Sequence, residues 1–191
     1  VLPFPDYKVA ATDVDRSKGV PTPGAVPAAD FPDIERATLS NGLKVLLASR
    51  DGVPTVSMNL IVNAGSAADG ADKAGIAQLA PAVMTNGTKT LDALEISDRT
   101  QLLGATLGAG SATDYSSVSL TALTSRLAPS LDLFADVIEN PAFRPADFAR
   151  AQAQQVSGIQ QANRSPGAIA NRILAADVYG PQSPYGRPTS G

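Results

Sequence analysis

The chain is 191 residues long, with 43% hydrophobic and 17% charged side chains, 18 acidic against 15 basic groups, and no histidine, cysteine or tryptophan. A chain of this size buries roughly 70% of its unfolded surface and supports one large domain or two small ones, which excludes a bare tail or linker. The missing residue types exclude Ser-His-Asp and Cys-His catalysis, His or Cys metal centres and disulfides, and a net charge of −3 with scattered bases gives no attraction to nucleic acid.

Residues 1–33 hold Pro3, Pro5, Pro21, Pro23 and Pro27 without a lasting hydrophobic period, and an extended Pro-rich arm is expected there. A start at Val1 fits either a processed, secreted chain or a piece of a longer one; with the Pro-rich arm it leans toward export to a bacterial periplasm. From residue 34 the pattern becomes regular. Ala37-Thr38-Leu39, a Ser40-Asn41-Gly42 turn and Leu43-Lys44-Val45-Leu46-Leu47 predict a hairpin in which Asn-Gly supplies positive φ angles. After a turn at residues 50–54, Val56, Met58, Leu60 and Val62 alternate with polar neighbours, which predicts a half-buried strand paired with the one before it.

A loop over 65–73 leads to a helix expected over 74–86 from the spacing of Ile76, Leu79 and Val83, with Gly87 as its C-terminal cap. Pro81 lies inside it, removes a donor and crowds the preceding turn, so a kink or an early stop is expected. Thr90 is positioned to cap a second helix through Leu91, Leu94, Ile96, Leu102 and Leu103 to Gly104. Strands are predicted over 105–111 and 115–123, followed by helices over 127–139, 145–163 and 165–179. Strands and paired helices in this order spell an α+β domain with an antiparallel sheet flanked by helices. The longest mostly apolar stretch, 75–83, is too short to span a bilayer, so no membrane partner is expected. Residues 180–191 are rich in Gly and Pro and do not read as the end of a fold.

Several short runs, taken together and in order, resemble the pitrilysin-like zinc peptidases, the group that includes insulin-degrading enzyme and mitochondrial processing peptidase. They are Leu39-Ser40-Asn41-Gly42-Leu43-Lys44-Val45, Gly65-Ser66-Ala67-Ala68-Asp69, Lys73-Ala74-Gly75-Ile76-Ala77, Asn86-Gly87-Thr88, Asn140-Pro141-Ala142-Phe143 and Ser183-Pro184-Tyr185-Gly186-Arg187-Pro188. The resemblance covers residues 34–191 and implies an incomplete, N-terminal part of a pitrilysin-type peptidase domain.

Active members resemble this stretch but carry G-x-x-H-x-x-E-H, in which two His ligate zinc and the Glu activates water. Aligned on Gly75, the first His falls on Gln78, the Glu on Pro81 and the second His on Ala82; the third ligand, a Glu on a later helix, falls on Gly158. Residues 148–176 contain no Asp or Glu, so a shifted alignment restores nothing. The resemblance therefore implies no catalytic residue and no cofactor in this chain, with zinc held only by a partner subunit.

Other candidate sites are weaker. Asp69 and Asp72 flank a Gly-containing loop but lack the ligand number of a calcium site. Residues 104–110 are glycine-rich without the Lys-Ser/Thr of a phosphate loop. The family's equivalent strand is the sheet edge on which a peptide adds, which makes Leu107, Gly108, Ala109, Gly110 and Ser111 a peptide-binding edge; a Gly-rich strand packed under a helix is the other reading. Arg150, Arg164 and Arg172 form an acid-free basic run, a solvated face or a contact to an acidic chain.

Metal-free chains resembling this one act beside a catalytic subunit and help enclose a chamber for unfolded peptides. The expected partners are a zinc-bearing homologous peptidase subunit, the C-terminal remainder of the same fold as a separate chain, and an unfolded peptide substrate. The alternatives are a structural or assembly protein resembling respiratory-complex core proteins, without peptide handling, and a free-standing peptide binder.

Overall fold

The computed structural model describes residues 19, 24–25, 32–50, 52–70 and 72–191, so the arm expected over 1–33 lies almost wholly outside the described residues. The chain divides into two compact units, Val1–Gly52 and Val53–Gly191. In the first, β1 (Ile34–Thr38) and β2 (Lys44–Ala48) form an antiparallel hairpin in the register Ile34↔Ala48 to Thr38↔Lys44. Its turn differs from the expected one. Gly42 alone takes a positive φ, of 87°, while the Asn41 side chain accepts the Leu43 N–H at 3.0 Å. The Gly42 N–H bonds to the Leu39 carbonyl and the Leu39 N–H to that of Leu43. One glycine in the left-handed region after an ordinary turn closes a hairpin without a second positive φ.

The second unit is built on three antiparallel strands, β3 (Thr55–Val62), β4 (Thr106–Ser111) and β5 (Ser116–Leu123), in the order β3-β5-β4. The strand β3 pairs with β5, a partner that the sequence reading did not foresee. Sequence-adjacent hairpins are the default, but here β5 places Val118, Leu120 and Ala122 opposite Leu60, Met58 and Val56, burying one continuous apolar face. Leu107 and Ala109 of β4 extend that face by standing opposite Leu120 and Val118. The opposite face carries Thr106, Gly108 and Gly110 beside Thr121, Ser119 and Ser117, and then Ser57, Asn59 and Ile61. Alternation of period two separates the faces.

Helices α1 (Ile76–Met84), α2 (Ala93–Leu102) and α3 (Leu127–Glu139) pack on β4 and β5. Leu91, Ile96, Leu133 and Val137 form the buried cluster, with Met84, Leu103 and Leu107 against it. Leu120, Val83 and Val137 are the largest fully buried apolar side chains, each contributing about 1.5–3 kcal/mol by leaving water. α1 ends within a turn of Pro81, at Met84 with Thr85 as its C-cap, two residues before the expected end. The helix runs three residues past Pro81, so the proline lies inside it and does not stop it. α2 is capped by Asp92 rather than Thr90, in a reciprocal capping box with Glu95, and Leu94 and Leu102 of the expected apolar face are exposed. Helix α4 (Pro145–Ala162) packs on α1, whereas α5 (Pro166–Tyr179) has no buried residue. Arg150 of the basic run pairs with Asp147 at 2.7 Å, so it is not acid-free in space.

Candidate functional site

The positions that resemble the metal motif sit on two packed helices. Gln78 is half-buried on α1, and its amide Nε2 donates to Thr189 Oγ1 at 3.3 Å. Pro81 is buried one turn on, Ala82 is exposed, and Gly158 is exposed on α4 with open space where a Cβ would stand. A neutral amide, a ring without N–H, a methyl group and a bare backbone do not fit zinc, which needs converging imidazole, thiolate or carboxylate donors. Among the described residues no group of three or more His, Cys, Asp or Glu side chains comes together. The contact between the helices is made instead by Gln155 on α4, whose Nε2 donates to the Gly75 carbonyl at 3.2 Å and to the Ser190 carbonyl at 2.7 Å.

Most of the family-like runs in this unit are joints of the scaffold. Asp69 accepts the Gly75 N–H at 2.9 Å and the Ala77 N–H at 3.1 Å, so a carboxylate from the preceding loop caps the positive end of α1. That use, and not a calcium loop, explains the acid. Gly65 packs against the carbonyls of Thr113 and Ala112, where no Cβ fits, and the Ser66 and Ala67 amides bond to those two carbonyls at 3.0 and 2.8 Å. Residues 86–88 and 140–143 meet across the helices: Ala142 donates to the Gly87 carbonyl and Lys89 to that of Asn140, each at 2.9 Å. Arg144 locks this join, donating from Nη2 to the carbonyls of Thr88 at 3.0 Å and Leu91 at 3.2 Å, while Gly87 leaves room for its guanidinium. Phe143 takes φ 44° beside it, a left-handed conformation that the surrounding bonds hold.

The edge strand has its own geometry. β4 has β5 as its one hydrogen-bonded neighbour among the described residues, so Leu107–Ser111 lie along a sheet edge. These residues carry no charge and no proline, two of the devices that block strand addition. Gly110 has nothing within 4 Å of a Cβ position, and at Gly108 the nearest atom is Ser119 Oγ at 3.3 Å. Leu107 packs under the helices, as the second of the two sequence readings has it, and the outer edge of β4 carries no further strand among the described residues. Residues 180–191, unreadable as an element, are tethered by Tyr185, whose hydroxyl donates to Asp114 Oδ1 at 2.6 Å. That bond and the Asp114 charge raise the Tyr185 phenol above its usual 10.0. Sequence reasoning missed Gln155, Arg144 and Asp69 as structural hubs, since their partners lie up to 80 residues away and leave no local pattern.

Residues 44–191 match the profile of the insulinase family, peptidase family M16. A protein from Mycobacterium bovis described as an uncharacterized zinc protease is 30% identical over 157 residues, covering 82% of this chain and 35% of that protein. One from Rickettsia bellii with the same description is 26% identical over 153 residues, covering 80% of this chain and 37% of its own length. The chain thus spans little more than a third of these relatives. A crystal structure from Pseudomonas fluorescens described as a peptidase M16 inactive domain superposes with a TM-score of 0.79 at 30% identity, covering 83% of this chain and 39% of that one. A Helicobacter pylori protease shares the fold, with a TM-score of 0.73 at 23% identity over 84% of this chain and 39% of that one.

Proposed function

The chain belongs to the insulinase family of peptidases, family M16, and on that footing we propose that it is a non-catalytic member which works beside a zinc-bearing homologous subunit. It contributes wall and sheet edge to a peptide-enclosing chamber, while the metal and the general base come from the partner. The observation that carries this reading is the contrast within one scaffold. The joints at Asp69, Gly87 and Arg144 are intact, whereas the positions of the metal motif hold Gln78, Pro81, Ala82 and Gly158. A proline has no basic lone pair and no proton to exchange, so Pro81 cannot activate water. The Pseudomonas protein described as an inactive domain of the same family supports the reading.

In this role β4 offers the unpaired backbone groups of its outer edge to an extended, unfolded peptide, which adds as a further strand; Gly108 and Gly110 permit close backbone approach. The test is to titrate the purified chain into a histidine-bearing M16 subunit and follow peptide hydrolysis. Activity rising to a break at a fixed molar ratio supports the reading. Binding with unchanged activity favours a structural or assembly role instead. Stoichiometric zinc in the purified chain, with peptide cleavage by the chain unaided, overturns it.

A further inference from the structure

α2 packs on β4 and α3 on β5, and a cavity of about 500 Å³ opens between the two helices. Two helical stripes wall it. Arg99, Leu102 and Leu103 stand at spacings of three and four along α2 and its C-cap, and Asp132, Leu133 and Asp136 share one face of α3. The floor is apolar: Leu91 and Leu133, 5% and 6% exposed, belong to the buried cluster, and Leu103 packs against it. Leu102 continues this surface into solvent at 85% exposure. The charges are divided by sign. Arg99 stands on one wall and both acids on the other, and among the described residues no ion pair joins them. Asp136 takes the Asn140 amide on one carboxylate oxygen, at 3.1 Å, which holds the group at the wall.

An occupant has to meet both chemistries. A purely apolar molecule strips water from charged groups without replacing it, and a purely charged one leaves the leucine floor wet. An ion of either sign satisfies one wall and meets its own sign on the other. We propose that this cavity binds a short apolar peptide with both ends free. Its ammonium goes to Asp132 and Asp136, one turn apart on α3, its carboxylate to the Arg99 guanidinium, and its side chains onto Leu91, Leu103 and Leu133. The volume is that of a small-ligand site. Because α2 and α3 build it, the site stands independently of the role proposed above and uses neither the β4 edge nor the altered motif.

Calorimetric titration of the 191-residue chain with leucyl-leucine tests it, beside the N-acetyl derivative and the C-terminal amide, which each remove one charge. The free dipeptide should bind with a Kd of roughly 0.1–1 mM, as its size allows, and each modified form about tenfold more weakly, the loss of one charge-assisted contact. Arg99→Met, at an exposed position, should weaken the free dipeptide about tenfold and leave the amide unchanged, since the amide has no carboxylate for the guanidinium to hold. No binding at about tenfold above that Kd range overturns the proposal. So does equal affinity for the three ligands, or an equal loss for dipeptide and amide in Arg99→Met.

Discussion

Removing the carboxylate of Asp69 tests whether the acid in the 65–69 run serves the scaffold. In the folded chain this half-buried group takes the N–H groups of Gly75 and Ala77, both at buried residues, at 2.9 and 3.1 Å. Asp69→Ala leaves two donors at the start of α1 without partners and removes a negative charge from the positive end of the helix. Charge-assisted hydrogen bonds are worth about 1.5–3 kcal/mol and the helix-end term about 0.3–1 kcal/mol. Discounting for partial exposure gives a loss of about 2–3 kcal/mol. For a domain of this size that lowers Tm by roughly 4–12 °C. Asp69→Asn keeps one acceptor oxygen and should cost about half as much. Circular dichroism melts and urea titrations measure both, with Asp72→Ala, on an exposed neighbour, as the control. If Asp69→Ala falls within about 0.5 kcal/mol of wild type, as surface changes do, or costs no more than Asp72→Ala, the capping role is wrong.

Four further outcomes follow from the same geometry. Installing Gln78→His, Ala82→His and Gly158→Glu together should confer zinc binding measurable by calorimetry, without peptide hydrolysis while Pro81 remains; equal zinc uptake by the wild type would refute the reading of these positions. Leu120→Ala, at a residue 1% exposed in the centre of the sheet, should cost about 2–5 kcal/mol in urea unfolding, and a loss below about 1 kcal/mol would show that the apolar face is not the core. Arg144→Met removes the Nη2 donor shared by the Thr88 and Leu91 carbonyls, so it should cost about 2 kcal/mol in urea unfolding; a loss within about 0.5 kcal/mol of wild type would show that the join does not depend on this side chain. Because its phenol is raised above the usual 10.0 by Asp114, Tyr185 stabilises the fold below pH 10 and loses that contribution as pH climbs through its raised value. Asp114→Asn should bring the Tyr185 transition in the tyrosinate absorbance, assigned by difference from Tyr185→Phe, back toward ordinary tyrosine.

Local chemistry was legible wherever a few neighbouring residues decide the outcome. Period-two alternation marked β3 and β5, Asn140 marked the end of α3, and Pro145 the start of α4. Errors arose where two devices competed over a short distance. Thr90 and Asp92 are both good caps, and Asp92 won because Glu95 stands three residues on to complete the box. At the hairpin, Asn41 spent its side chain on the Leu43 amide and so had no need of a positive φ. Long-range partners were illegible. Which strand β3 would take depended on matching its apolar face to that of β5, about 60 residues later, and no spacing in the chain encodes that choice.

The residue list by itself settled what chemistry is out of reach. Without histidine or cysteine, no folding of this chain can assemble a tetrahedral imidazole or thiolate site, because donor type is a covalent property. Only the tertiary structure decided what the side chains present do instead. It gave Asp69 to a helix end, Arg144 to two distant carbonyls and Gln155 to a crossing of α1 with residues 186–191, since hydrogen bonds are chosen by which groups burial brings within about 3 Å of each other and not by their separation along the chain.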